Sequence, residues 1–591
     1  MARNKYDVDE RLETPFSFQH LKRSGVYIKH YSGKMIFAFL INTIGILLSL
    51  LTPMLTQQIM DVFVPEKNVR GVIFFAVLVM LALAGQTFMT TIRSRIMTKV
   101  GQGIIYEIRT DLFLKLQQLP FSYYDNRPHG KILVRVVQYV NNVSDMLSNG
   151  IINFILDLLN LIFIACFMFA MHAGLALIIV SGLPVLAVII FSIKPRQRRA
   201  WQTVSNKNSN LNAYLQETIT GMKVTQIFNR EEVNQGIFTR LCEGSRASWV
   251  RAAAISNLVW VSVDNISTIV LALVCVVGVL VYSNSITFGI LWAMSRYSSR
   301  FWQPITNLSN IYNNFLNTIA YLERIFETMD EPVEIHDVPD AVEMPKIKGD
   351  VEFKDVVFAY EKDSPDVLKG LSFQVKAGQS VAIVGPTGAG KTTIVNLISR
   401  FYNLKSGQVL IDGQDISKVT LHSLRSQMGI MLQDTFIFSG TIADNVRYGK
   451  LDATQEEIEA ACKTVSAHDF IVHSANGYQT EVRERGSSLS QGQRQLLSFA
   501  RTLISDPKVL VLDEATSAID AKTEQLVQQG INELLKGRTS FIIAHRLSTI
   551  KSCDIIMYIA DGRIVEQGNH QELMAKKGEY YRLYTSQIRE M

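Results

Sequence analysis

A chain of 591 residues suggests roughly three or four domain-sized pieces rather than one. Its 48% hydrophobic content and mean hydropathy of +0.15 are high for a soluble protein, with the excess concentrated before residue 320. A net charge of +6, spread along the chain, fits loops beside anionic lipid and calls for no nucleic-acid partner. The five cysteines (Cys166, Cys242, Cys275, Cys462 and Cys553) are scattered, which excludes a disulfide framework and a cysteine metal site as organising features.

Residues 1–34 are polar and charged, without the short apolar core and cleavage site of a secretory signal; one interfacial amphipathic helix is the expectation there. Apolar runs then follow at Met35–Leu55, Gly71–Phe88, Gly150–Met171, Ala173–Ile193 and about Ser256–Tyr282. Each is near the ~20 residues that a bilayer demands. A sixth run, from about Phe288, is less apolar and continues as a long helix toward Asp330. The connections after spans one, three and five are short: Thr56–Arg70, His172 and Ser283–Thr287. Those after spans two and four are long, roughly sixty residues each. The long ones are basic, carrying Arg93, Arg95, Lys99, Arg109, Lys115, Lys131 and Arg135, then Lys194, Arg196, Arg198, Arg199, Lys207 and Lys223. Positive charge marks the cytoplasmic side, so both termini and both long connections are expected inside a cell membrane crossed six times.

Four ionisable residues fall within the predicted spans: Asp157, Asp264, Arg296 and Arg300. Counted from the outer ends at ~1.5 Å per residue, Asp157 lies about 21 Å deep, Asp264 about 26 Å and the arginines about 14–20 Å. Charge at such depth is expensive in lipid and faces a bundle interior or a wet cavity. Two readings stand side by side. In one, an Asp–Arg pair, such as Asp264 with Arg300, fixes helix packing. In the other, these residues form a polar wall of a transport pathway, continued by Gln303, Asn307, Asn310, Asn314 and Asn317.

Acidic residues with Pro332, Pro339 and Pro345 interrupt the chain at Asp330–Gly349. The expected organisation is an N-terminal segment 1–34, a membrane domain 35–329, a linker 330–348 and a nucleotide-binding domain 349–591. In the last of these, Ser380–Val384 reads as a buried strand that runs into Gly385-Pro386-Thr387-Gly388-Ala389-Gly390-Lys391-Thr392 and then a helix from Thr393. Glycines let successive N–H groups turn toward a phosphate, and the helix aims its positive end at the same anion. Lys391 is placed for the β/γ-phosphates of ATP and Thr392 for Mg²⁺. Thr387, Gly388, Gly390 and Thr393 belong to the same cradle.

Val509–Leu512 reads as a central strand ending in Asp513, a carboxylate for Mg²⁺. Glu514 comes next and is placed to polarise the attacking water; its bland alternative is a helix-capping role. His545 follows the apolar run Phe541–Ala544 and is placed for the γ-phosphate; its alternative is a satisfied core histidine.

Leu489-Ser490-Gln491-Gly492-Gln493 resembles the signature loop of the ATP-binding cassette (ABC) family. The resemblance implies that Ser490, Gly492 and Gln493 close over ATP held by a second cassette. Gln433 resembles the glutamine loop that touches Mg²⁺, and Ser517–Asp520 resembles the segment that crosses to the other nucleotide site. Tyr360 resembles the aromatic that stacks on adenine, a contact worth roughly 1–3 kcal/mol; a plain strand residue is its alternative.

The order of spans, basic connections and C-terminal cassette is similar to an exporter-type half-transporter of that family. Phe121–Asp125 with Gly130, and Glu217–Val224 with Phe228, resemble elements flanking the coupling helices. Thr480–Gly486 resembles the exporter-specific loop. The implied fold is an all-α bundle of six membrane helices with long cytoplasmic extensions, fused to an α/β P-loop domain. The implied activity is ATP hydrolysis coupled to export or flipping of amphipathic drugs, lipids or peptides. An importer on the same fold and an ATP-gated channel are the alternatives. ATP and Mg²⁺ are the implied cofactors, and the partners are the bilayer and a second half-transporter. That second chain is identical or homologous; Gln491 resembles the intact chain of heterodimeric exporters, whereas the complete set of catalytic positions suits a homodimer.

Overall fold

The computed structural model describes residues 19–125, 127, 129–282, 286–361, 364–431, 435–513, 521–544 and 547–590. They fall into two compact units: residues up to Gln117 with His129–Asp330, and Gln118–Pro128 with the chain from Glu331 onward.

The first unit is helical throughout. Its long helices are α1 (Gln19–Phe63), α2 (Val69–Gln118, whose last residue belongs to the second unit), α4 (Gly130–Met171), α5 (Ala173–Thr220), α6 (Glu231–Leu280) and α7 (Phe288–Asp330); α3 is the short Phe121–Asp125. The first five long helices are each long and apolar enough to cross a membrane. Helix α7 spans its expected range but lacks such an apolar stretch, because Arg296, Arg300, Gln303 and several asparagines interrupt it. A helix of 45–50 residues is about 70 Å long, more than twice a hydrocarbon core of ~30 Å, so helices such as α1, α2 and α6 continue well beyond the bilayer. In lipid the backbone must satisfy its own hydrogen bonds, which unbroken helices do.

One buried cluster in this unit holds Leu50, Ile179, Val274, Met294, Tyr297 and Phe301, all fully or almost fully buried. Of residues 1–34, expected to form one interfacial helix, 1–18 lie outside the described residues and the rest are the first turns of α1. Residues 19–34 run unbroken into the first span. Tyr27 and Tyr31 donate to Asp111 and Glu107 of α2, each at 2.9 Å, and Arg23 pairs with Asp330 and covers the Phe326 ring.

The second unit is α/β. Its strands are β1 (Val351–Phe358), β2 (Leu368–Val375), β3 (Ser380–Val384), β4 (Ser406–Ile411), β5 (Gln414–Asp415), β6 (Met428–Met431), β7 (Gly440–Thr441), β8 (Glu481–Val482), β9 (Val509–Asp513), β10 (Thr539–Ile543), β11 (Ile555–Ala560) and β12 (Arg563–Gly568). The main sheet runs β12-β11-β3-β10-β9-β6, parallel from β11 to β6, with β12 antiparallel at one edge. An antiparallel sheet of order β2-β1-β4-β5 accompanies it. The predicted strand at 380–384, the strand at 509–512 and the run 541–544 are β3, β9 and β10, and their apolar residues are buried as a parallel sheet covered on both faces requires. Helix α3 belongs to this unit. The Phe121 ring lies 4.4 Å from that of Phe401, and the Tyr402 hydroxyl donates to Asp125 at 2.8 Å. Burial, and then that bond, push the Tyr402 phenol above its ordinary pKa.

Candidate functional site

Parallel strands bring their carboxyl ends to one edge of a sheet, where α/β folds place ligands. Here Ile543 is level with Ile383 on one side and Asp513 on the other, and Met431 is level with Leu512. The loop after β3, the Asp513 carboxylate and the last residues of β6 and β10 therefore share one edge.

The loop after β3 has the backbone a phosphate cradle needs. Gly385, Gly388 and Gly390 all have positive φ. At Gly385 the requirement is absolute: φ is +145°, and a Cβ there would sit 2.0 Å from the Ile559 carbonyl oxygen. Helix α8 (Lys391–Ile398) starts directly from the loop and points its N-terminal N–H groups into it. Lys391 folds over the loop, donating to the carbonyls of Gly385 and Pro386 at 2.8 and 2.9 Å. Burial lowers its pKa, with the Asp513 carboxylate opposing the shift. Those bonds hold the ammonium over the loop opening, and phosphate oxygens are a better acceptor for it than two carbonyls. Thr387, Gly388 and Thr392 are exposed, so their polar atoms are open to a ligand.

Tyr360 lies two residues beyond β1, so it is not a strand residue. It is 45% exposed, its hydroxyl bonds the buried Thr393 hydroxyl at 2.9 Å, and the rings of Phe358 and Tyr402 stand nearly perpendicular to its ring at 4.9 and 5.2 Å. Thr393 thus touches Tyr360, one step behind the cradle.

Ser490 caps helix α9 (Gln491–Ile504). Its hydroxyl accepts the Gln493 N–H at 3.2 Å, and the Gln493 side chain accepts the Ser490 N–H at 2.9 Å. This reciprocal box fixes the helix start, whose first turn carries the buried Gly492. Among the described residues, no hydrogen bond joins Ser490 to Gly385–Thr392. Gln433, Glu514, Asp520 and His545 lie outside the described residues. Asp513 and Thr392 offer hard oxygen donors of the type Mg²⁺ takes. Among the described residues, no group of three His, Cys, Asp or Glu side chains could hold a metal alone, so phosphate oxygens would complete the shell.

In the helical unit, Asp264 and Arg300 do not pair. Asp264 is exposed on α6, and Arg300 donates instead to the carbonyl and hydroxyl of Ser49 on α1, at 2.7 and 3.0 Å. Helix α1 lies nearer Arg300 than α6 does, and a carbonyl oxygen there takes the guanidinium. Arg296 is exposed, 5.9 Å over the Trp292 ring. Asp157 is brought together with Asn307 and with Arg93. Arg93 donates to Asn153 at 3.0 Å. These residues, with Asn42 and Asn160, line a cavity of about 480 Å³. Sequence reasoning placed Arg93 in a loop because it lies past the apolar run ending at Phe88. Helix α2 runs straight on, and that continuation was the signal that would have brought Arg93 alongside α4.

Comparison with known proteins agrees with this architecture. Residues 35–305 match the family model described as "ABC transporter transmembrane region", and residues 368–517 match that described as "ABC transporter". The chain is 40% identical to the uncharacterized ABC transporter ATP-binding protein YknV of Bacillus subtilis, over 99% of this chain and 98% of the relative. It is 38% identical to a fatty acid ABC transporter ATP-binding/permease protein of Mycobacterium tuberculosis, over 87% of this chain and 82% of that one. The solved structure of a bacterial Atm1-family ABC exporter with ATP bound superposes with a TM-score of 0.78 at 29% identity, covering 94% of this chain and 98% of that chain. A membrane bundle and a nucleotide-binding domain in one polypeptide, matched along their whole length, identify the chain as a member of the ABC transporter family, an exporter-type ATPase coupled to translocation.

Proposed function

We propose that this chain is half of a dimeric exporter or flippase that moves amphipathic compounds across the cytoplasmic membrane. The observation that carries the reading is the intact phosphate cradle in a chain whose membrane helices enclose a polar cavity. The bilayer excludes charge, so a cavity with Arg93 and Asp157 offers polar groups a path that lipid does not. A relative named for fatty acid transport supports amphiphilic cargo.

In the proposed mechanism, adenine stacks on the open face of Tyr360, and the loop N–H groups and Lys391 hold the phosphates. Thr392, Asp513 and Gln433 would hold Mg²⁺, which neutralises charge on the phosphate oxygens. Glu514 orients and deprotonates the attacking water, and His545 hydrogen-bonds the γ-phosphate. Ser490 and Gly492, at the positive end of α9, and Asp520 complete the ATP site of the partner chain. One cassette carries one cradle and one signature, so each closed site needs two chains.

Reconstitution in proteoliposomes tests the reading. ATP-dependent movement of a fluorescent amphiphile is expected in the wild type and absent in Glu514→Gln and Lys391→Ala. Movement that continues in both variants would refute it. Particle mass and ATPase rate of the chain purified alone decide the partner. An active two-copy particle means a homodimer, and an inactive chain rescued by a second half-transporter means a heterodimer.

A further inference from the structure

The cavity among α1, α2, α4 and α7 holds one positive and one negative group that are not joined to each other. Arg93 has five N–H donors. One goes to the Asn153 side chain at 3.0 Å, and the buried Nε has no partner among the described residues. The Asp157 carboxylate has the Asn307 amide as its hydrogen-bonding neighbour and feels Arg93 only through space. A pair serving only to neutralise itself in a low-dielectric setting would close into a bidentate contact, the strongest geometry available to those two groups. Here about 480 Å³ of cavity lies beside them, within the ~300–1,000 Å³ typical of small-ligand sites.

The rest of the lining fits a ligand with both charges. Asn42, Asn153, Asn160 and Asn307 each present a carbonyl acceptor and an amide donor, so they solvate either sign. Ile46, Leu156 and Ile311 supply the apolar part of the wall. Arg93 bonds Asn153, which lies four residues, about 6 Å, farther along α4 from Met171 than Asp157 does, so the two charges stand about one helical turn apart along that helix.

We infer that the Arg93–Asp157 cavity is a headgroup site for zwitterionic amphiphiles, taking the ligand's anion on Arg93 and its cation on Asp157. The inference rests on the cavity being part of the transport pathway proposed above, and it names the class of cargo that enters.

The test uses the full chain in phosphatidylglycerol nanodiscs and three probes of one tail length: N-dodecyl-β-alanine (zwitterion), dodecanoate (anion) and dodecylamine (cation). Binding is read by calorimetry without nucleotide, so the outcome does not depend on ATP-driven transport. The wild type is expected to bind the zwitterion at least tenfold tighter than either single-charge probe. Asp157→Asn should shift preference toward dodecanoate, and Arg93→Gln toward dodecylamine. Equal binding of the three probes, or a wild-type preference for dodecanoate, would overturn the inference. So would equal losses for all three probes in both variants, accompanied by lower thermal stability, which would mark the pair as a packing device. The milder Asn307→Ala keeps both charges and serves if a charge variant fails to fold; it should weaken the zwitterion more than dodecanoate. Selective binding without ATP-dependent vesicle transport would leave the site standing and refute the exporter reading instead.

Discussion

Replacing Tyr360 with alanine tests the nucleotide site at its least chemical point. Tyr360, two residues past the end of β1, is 45% exposed, and both neighbouring rings meet its ring nearly at right angles. Neither stacks on it in parallel, which leaves a face for a base. Aromatic stacking on a base is worth about 1–3 kcal/mol, and a half-exposed ring belongs in the lower part of that range. At ~1.4 kcal/mol per tenfold, a loss of about 1–2 kcal/mol weakens ATP roughly 5- to 30-fold. Tyr360→Phe keeps the ring and loses only the hydroxyl bond to Thr393, a term of about 0.5–1.5 kcal/mol that acts on ring orientation. Its effect should stay below that of alanine. The dissociation constant is best read in a Glu514→Gln background, where hydrolysis does not distort it, with KM and kcat measured in the otherwise native chain. An alanine variant that folds and keeps its ATP affinity would remove Tyr360 from the nucleotide site, and with it the inference from ring exposure.

Three further outcomes are expected. Glu514→Gln should bind ATP normally and lose nearly all turnover, whereas Lys391→Ala should lose nucleotide affinity first; near-native hydrolysis in the glutamine variant would exclude Glu514 as the base. Asp264→Asn and Arg300→Gln should have independent effects on thermal stability, because Arg300 is bonded to Ser49; a double variant departing from additivity by more than ~0.5 kcal/mol would show that the two residues do meet. Tyr402→Phe removes the bond to Asp125 and should lower cargo-stimulated ATPase more than the basal rate; equal effects on both rates would assign Tyr402 to packing alone.

The strands and cradle were legible because each carries a local signal: continuous apolar runs for β3, β9 and β10, and glycines where φ must be positive. The span positions were legible from hydropathy, which also flagged α7 as the odd member. What was not legible depends on how helices lie against one another. Arg300 was matched to Asp264 by charge and depth, yet its neighbour is a serine on α1. Arg93 looked like a loop residue because hydropathy marks where a span stops being apolar, not where its helix stops. The N-terminal residues from Gln19 were read as a separate element for the same reason. Gln493, expected to face a nucleotide, also closes a capping box with Ser490, a role set by the residue three positions before it.

The membership of α3 bears on how this protein can be made and cut. Its second unit is not one stretch of chain: Gln118–Pro128 is synthesised some two hundred residues before Glu331 and is then required beside Phe401 and Tyr402. A cassette expressed from residue 349 onward lacks the Phe121 ring that meets Phe401 and the Asp125 carboxylate that accepts from Tyr402. Nor does any single nick separate the units, since the backbone passes between them three times.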